Sequence, residues 1–284
     1  MWLYFMKGYS ENQTNSLNDK QIQTFQNQGY LAIERLIDPS DLDLLIHVIS
    51  DFRQGSAFDK RWYEILQQFN GQNEVYGWHK TVFGKPLFDL ITHEAVLDVV
   101  GSLTDGEIQF NGDFWVRPKL PLEKLTTLPW HQDSAYMPNT EHHTHLSVWL
   151  PLVDVDHENG TLQLLPGSHK RGLQPHHCIE GETFRSPTQD PVVESDEVVT
   201  LEMKVGGLVI FNNLVFHRSL MNRSQSIRWS VDFRFSRRNT PLDGLWHQHI
   251  ACIVRSRKSP NAVASWGNWK ALWESSPHKS RFLW

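Results

Sequence analysis

The chain has 284 residues, with 27 Lys and Arg against 32 Asp and Glu and a formal charge of −5. That length holds a sizeable core without disulfides or structural metals, 39% hydrophobic and 21% charged residues exclude a disordered chain, and the mild negative charge gives no footprint for nucleic acid. The two cysteines, Cys178 and Cys252, give neither a disulfide framework nor zinc-ligand spacing, which fits a reducing cytoplasm. Near the N-terminus, Asn18 followed by Gln21 has the pattern of a capping box and predicts a helix to about residue 28. Residues 30–36 read as a short strand. Asp38-Pro39 opens a second helix, with Leu42, Leu45, Ile46, Ile49 and Phe52 at helical spacing. A third helix is expected over 61–69 and a fourth over 87–103, where Ile91, Val96, Val99 and Val100 form an apolar stripe.

After Asp105-Gly106 the pattern changes to short aromatic and β-branched runs at 108–116, 146–153, 162–165, 198–203, 208–211 and 227–235. Such runs without intervening helical segments predict an antiparallel sandwich or barrel. In the last of them Ile227, Trp229, Val231, Phe233 and Phe235 alternate with Arg228, Ser230, Asp232 and Arg234, a half-polar strand of period two. The polar segment 170–196 reads as a lid or substrate loop, and the Trp-rich tail (Trp266, Trp269, Trp273, Trp284) as a docking element. No repeat or low-complexity linker divides the chain, so a single domain is expected over 1–284: a helical N-terminal third, a β core at about 108–235, and the tail. No apolar run approaches the roughly 20 residues that span a bilayer. The opening Met1-Trp2-Leu3-Tyr4-Phe5-Met6 lacks the basic start and cleavage site of a leader. Neither membrane nor nucleic acid is expected as a partner.

The chemistry concentrates at Trp130-His131-Gln132-Asp133. Side chains at i and i+2 of a strand share a face, so the imidazole of His131 and the carboxylate of Asp133 can converge on one metal ion. The best third ligand is His217, in Leu214-Val215-Phe216-His217-Arg218-Ser219. Two His and one carboxylate are the facial set of non-heme Fe(II) oxygenases, which leaves three coordination positions for a chelating cosubstrate and dioxygen. Eleven residues after His217 (228 − 217 = 11) stands Arg228, a guanidinium able to grip the distal carboxylate of 2-oxoglutarate in bidentate fashion. HxD alone is a weak signal in a chain with 15 His. The competing metal cluster Glu141, His142, His143 and His145 reads as an exposed or cleft-edge loop. His169 reads as a turn residue, and His176-His177 as part of the lid. Asp232 and Arg234 read as a buried ion pair beneath the cosubstrate site.

Three stretches in order, WHQD at 130–133, NGTLQLLPGSHK at 159–170 and NNLVFHRSLMNRSQSIRWSVDFRF at 212–235, resemble the phytanoyl-CoA dioxygenase family of Fe(II)/2-oxoglutarate oxygenases. The resemblance is densest over 108–235 and extends more weakly to 30–52. It implies a mainly β fold with flanking helices, a double-stranded β-helix (jelly roll, cupin-like), with His131, Asp133 and His217 on iron and Arg228 on 2-oxoglutarate. It also implies that Ser219 assists the same carboxylate, that Trp149 lines the cosubstrate pocket, and that Asn111 contacts the cosubstrate. Halogenating relatives replace the acidic ligand by a small residue. Asp133 fills that place here, which argues against halogenation, and the basic residue common ahead of the Pro-rich turn is present as Arg117. Substrate contacts are expected from Tyr136 and Met137 at the pocket mouth and from Trp78 and His79 on the helical side.

The expected activity is therefore hydroxylation of a small molecule with Fe(II), 2-oxoglutarate and O2, yielding succinate and CO2, by a monomer or homodimer. Desaturation, cyclisation or epimerisation at the same iron centre is the same-fold alternative. A non-catalytic metal-binding sensor is the alternative of another class. A zinc hydrolase lacks support because no HExxH arrangement occurs.

Overall fold

The computed structural model describes residues 15–54, 84–124, 126–137, 139–178, 185–192, 197–242, 245 and 248–275. Helix α1 (Asp19–Gln28) starts with the expected capping box: the Asn18 side chain accepts from Gln21 N at 3.0 Å, and the Gln21 side chain accepts from Asn18 N at 2.9 Å. It ends at Gly29 in the left-handed region (φ 79°), and strand β1 (Tyr30–Ile33) follows at once. Glycine is required here twice over. Its φ is strained for other residues, and a Cβ would lie 2.4 Å from His169 Nδ1 and 2.5 Å from Val215 Cγ2.

Helix α2 (Pro39–Gln54) begins where Asp38-Pro39 places it, with Leu42 and Leu45 buried. The expected helix over 61–69, and with it Trp78 and His79, lies outside the described residues. The single helix expected over 87–103 is instead two, α3 (Lys85–Ile91) and α4 (Glu94–Ser102). Thr92 Oγ1 turns back to Phe88 O at 2.8 Å, and the His93 side chain accepts from Ala95 N to cap the second helix. The apolar stripe continues across the break, so spacing alone does not reveal it.

The remaining strands are β2 (Ile108–Lys119), β3 (His145–Pro151), β4 (Leu162–Leu164), β5 (His176–Cys178), β6 (Arg185–Pro187), β7 (Val199–Thr200), β8 (Leu208–Asn212), β9 (His217–Ser219), β10 (Arg228–Arg237) and β11 (Cys252–Arg255). Helix α5 (Trp266–Ser275) closes the described chain. Six strands form an antiparallel sheet in the order β1-β8-β3-β10-β2-β11, and a smaller sheet runs β7-β4-β9. The two curl face to face as a double-stranded β-helix. Strand β11 carries no sequence signal beyond four residues, and the loop expected over 170–196 contains the β5–β6 hairpin. Among the described residues no helix is long and apolar enough to cross a membrane.

The large sheet has two chemically distinct faces. Outward, Phe110, Phe114, Val116, Trp229, Val231, Phe233 and Phe235 pack against Leu87, Val96 and Val99 of the helices. Inward, Trp149, Val209 and Phe211 meet Leu162, Leu164 and Val215 between the sheets. The polar row of β10 faces into the barrel, as the roles expected for Arg228, Asp232 and Arg234 require: all three are buried, together with Ser230.

The tail docks on the outer core through Trp266, Trp269 and Trp273, whereas Trp284 lies outside the described residues. Trp269 is fully buried, donates its indole N–H to Ile250 O at 3.1 Å, and lies 5.5 to 6.2 Å from the rings of Phe88, Trp273, Trp266, Phe114 and Phe110. Replacing it with alanine removes one of the largest core side chains and is expected to cost about 3–5 kcal/mol. At this chain length that lowers the Tm by roughly 10 °C, a shift that calorimetry on Trp269→Ala reads directly.

Candidate metal centre and its pocket

Two segments distant in sequence meet as neighbouring strands. His131 and His217 form an isolated antiparallel bridge, each backbone N–H donating to the other's carbonyl at 3.0 Å. β9 thus lies between β4 and residue 131, and the imidazole rings stand 4.1 Å apart. The strand expected to carry both HxD residues ends at His131, and Asp133 opens a 3₁₀ turn over Asp133–Ala135. The shared face survives because Gln132 between them is extended (φ −111°, ψ 137°).

Nε2 of His131 and of His217 lie 3.8 and 3.6 Å from Asp133 Oδ1. Ligand atoms of the three residues all fall within 4.8 Å of one another, and among the described residues no other group of His, Cys, Asp and Glu converges this way. Both histidines are held in one tautomer by the backbone: His131 Nδ1 donates to Pro129 O at 2.8 Å and His217 Nδ1 to Val215 O at 3.1 Å. Each Nε2 therefore offers its lone pair to the shared point, which is how a metal-binding imidazole is oriented. Asp133 is pinned by its other oxygen. Oδ2 accepts from Ser147 Oγ on β3 and from Arg234 Nε at 3.2 Å on β10, which leaves Oδ1 facing the imidazoles.

Burial by itself raises the Asp133 carboxyl, but the Arg234 guanidinium, helped by the Ser147 hydrogen bond, holds it well below the usual carboxylate range. Burial pushes both histidines down, so they stay neutral, the form that binds a metal. Arg234 also pairs with Asp232, whose Oδ2 accepts from Arg117 Nε at 2.6 Å. Charges thus alternate along the inner face from Asp133 to Arg117, and every member has a partner, as buried ions require. The expected Asp232–Arg234 pair is part of this chain.

Beyond the histidines opens a pocket of about 800 Å3, mouth included, lined among others by Trp115, Arg117, Lys119, Trp149, Ser219 and Arg228. Arg228 is 3% exposed. It donates to Ser230 Oγ at 2.6 Å and Gly160 O at 3.0 Å, and its guanidinium carbon stands 5.7 Å from the Trp149 ring. Its Nε has no hydrogen-bond partner, and among the described residues no carboxylate is in ion-pair contact with it, Asp232 acting on it only from a longer range. A guanidinium in that state is an anion site, because an uncompensated buried charge is costly. Two imidazoles and one carboxylate suit ferrous iron, and an unpaired arginine beside them suits the far carboxylate of a keto diacid, so the residues fit Fe(II) and 2-oxoglutarate.

The family profile described as Phytanoyl-CoA dioxygenase (PhyH) matches residues 25–230, more than half of the chain. The chain belongs to the phytanoyl-CoA dioxygenase family. It is 26% identical over 229 residues to the peroxisomal phytanoyl-CoA dioxygenase of Bos taurus, an alignment that covers 79% of this chain and 64% of the bovine protein. The chain thus spans less than two thirds of that relative's length. Its fold is similar to that of EctD from S. alaskensis, solved with 2-oxoglutarate and 5-hydroxyectoine, at a TM-score of 0.60 and 14% identity over 90% of each chain. It is also similar to the epimerase SnoN in complex with Fe3+, alpha ketoglutarate and nogalamycin RO, at a TM-score of 0.55 and 16% identity over 83% and 85% of the two chains.

Three expected contacts, Asn111 from the resemblance and Tyr136 and Met137 from their place after Asp133, are not among the residues that line the pocket. Asn111 does not line the pocket. Its amide lies 2.8 Å from His145 Nδ1 and its carbonyl accepts from Ser236 Oγ at 2.7 Å, so both ends are spent inside the sheet. Met137 is buried and off the pocket wall, in the turn after Asp133 where its carbonyl accepts from Thr140. Tyr136 sets its ring edge 5.6 Å from the His131 ring without lining the pocket. Of the 141–145 cluster, His142 and His143 are exposed as expected, whereas His145 is fully buried on β3.

Three residues with site roles were given none by the sequence. Ser147 shares the inner face of β3 with Trp149 by period two, and Lys119 shares that of β2 with Arg117. Gln132 is the third: its amide donates to Leu214 O at 2.8 Å and Gly172 O at 2.9 Å, and its carbonyl accepts from Gln174 N at 2.8 Å. It ties the metal-side segment to the approach to the distal histidine and to the base of the β5–β6 hairpin, whose His176 accepts from Gln132 N at 3.2 Å.

Proposed function

We propose that the protein is an Fe(II)/2-oxoglutarate-dependent dioxygenase that hydroxylates a small molecule, with succinate and CO2 as coproducts. The observation that carries this reading is the pairing of a buried His131–Asp133–His217 cluster with the unpaired guanidinium of Arg228 in one pocket. In this reading the three cluster residues hold iron through Nε2, Oδ1 and Nε2. Arg228 holds the distal carboxylate of 2-oxoglutarate, Ser219 donates to it, and Trp149 forms the floor. Bound iron and 2-oxoglutarate together supply the oxidising power from O2. The protein orients them and keeps water out, with Leu162, Phe211 and Trp149 as the apolar wall. We place the enzyme as a single domain in the cytoplasm, in keeping with its free Cys178 and Cys252.

Anaerobic addition of 2-oxoglutarate to the Fe(II)-loaded protein is expected to give a weak visible charge-transfer band that Zn(II) does not give. Absence of the band with saturating diacid defeats the assignment. A screen of candidate metabolites for stimulated succinate release then identifies the substrate.

A further inference from the structure

Lys119 is one of the largest side chains in the protein to be fully buried, at 1% exposure, and it lies in the pocket wall without a carboxylate partner among the described residues. Its Nζ donates to Thr126 O at 2.7 Å and to Ser219 Oγ at 2.8 Å. The backbone makes room for it: Gly160 sits at φ +87°, and a Cβ there would come within 2.6 Å of Lys119 Cδ. The charged groups facing it are both positive, Arg117 on its own strand and Arg228 on β10. Burial first, and then these two cations, push its amine down to about 5, so in the free pocket at neutral pH it is an uncharged amine.

A neutral amine has two N–H donors and one lone pair. Both donors are committed here, and the lone pair is left over. Ser219 Oγ in turn accepts from Lys119 Nζ and, at 2.9 Å, from Leu128 N, so both of its acceptor positions are filled and its own hydrogen is free to donate.

Building on the function proposed above, the geometry points to Lys119 as a second anchor for the distal carboxylate, one that becomes cationic only when the diacid enters. The carboxylate arrives beside Arg228 and Ser219. Lys119 takes one proton from solvent onto its lone pair and gains a third donor directed to the new anion. Ser219 keeps its acceptor bonds and donates its hydrogen to the same carboxylate. The pocket thereby answers a dianionic keto acid with two positive charges that lack a carboxylate partner, Lys119 and Arg228, while in the empty site Arg228 alone is in that state, Arg117 being paired with Asp232. A monocarboxylic keto acid has no distal carboxylate and calls up no proton.

The test is calorimetric titration of 2-oxoglutarate into Fe(II)-loaded protein under argon at pH 7, in two buffers of different ionisation enthalpy. The wild type is expected to take up close to one proton per diacid bound. Lys119→Met is expected to take up none and to bind the diacid roughly 10–100-fold more weakly, the loss of one charged hydrogen bond. With 2-oxobutanoate the two proteins should be indistinguishable. Because the change removes a buried amine, Lys119→Met should melt at or above the wild-type temperature. If it does not fold, Lys119→Gln and the wild-type proton count decide. Absence of proton uptake by the wild type, or an unchanged count and affinity in the variant, overturns the role of Lys119 while leaving the proposed function standing. Failure of the wild type to bind 2-oxoglutarate at all defeats both.

Discussion

Replacing His217 with alanine is expected to abolish substrate-coupled succinate release and to cut iron retention by more than about a hundredfold, beyond the range seen when only a supporting hydrogen bond to a metal ligand is lost. The remaining His131 and Asp133 offer two donors, and nothing among the described residues stands ready to replace the third. The loss should be local. The bridge between His131 and His217 is made by backbone groups, which the substitution keeps. The variant should therefore fold with a near-native circular dichroism spectrum while metal analysis after dialysis finds it empty. An iron-replete His217→Ala that still turns over would show that another side chain completes the site.

Arg228→Ala makes the complementary separation. Arg228 bonds to Ser230 and Gly160 and makes no contact with the metal cluster, so iron content should stay at the wild-type level. The 2-oxoglutarate concentration for half-maximal succinate release should rise by about a hundredfold or more, since truncating one partner of a buried charge pair costs about 2–5 kcal/mol. Arg228→Lys should recover only part of the loss, because an ammonium cannot reproduce the two-pronged grip. An unaltered cosubstrate requirement in Arg228→Ala would mean that a different cation of the pocket does the binding. Arg228 and Lys119 also differ in protons: the guanidinium remains charged throughout and takes up none itself.

The sequence made the barrel and the cluster legible for different reasons. Strand β10 was visible because one face is aromatic or β-branched and the other polar, and the helix starts were visible because Asn18, Gln21 and Asp38-Pro39 satisfy end groups locally. Convergence of His131, Asp133 and His217 was legible as residue types in order, and Arg228 by its offset from His217. Residues whose roles depend on pairing across strands stayed hidden. Ser147 supports Asp133 from fourteen positions away, and Lys119 reaches Ser219 across one hundred. Neither contact has a local signature. Asn111 was misplaced for the same reason: β2 carries Gly112 at φ +82°, and its register against β10 shifts between Phe233 and Phe235, so counting along the strand does not say what its side chain meets.

The alternation along β10 makes architecture and chemistry a single specification. Sliding that strand by one position against β2 and β3 would thrust Trp229, Val231 and Phe233 into the cavity and drive Arg228, Asp232 and Arg234 among the aromatic rings outside. Misaligned species are therefore penalised twice, by stranded ions and by wetted hydrocarbon. A one-residue deletion within this segment should leave no folded but inactive protein to purify.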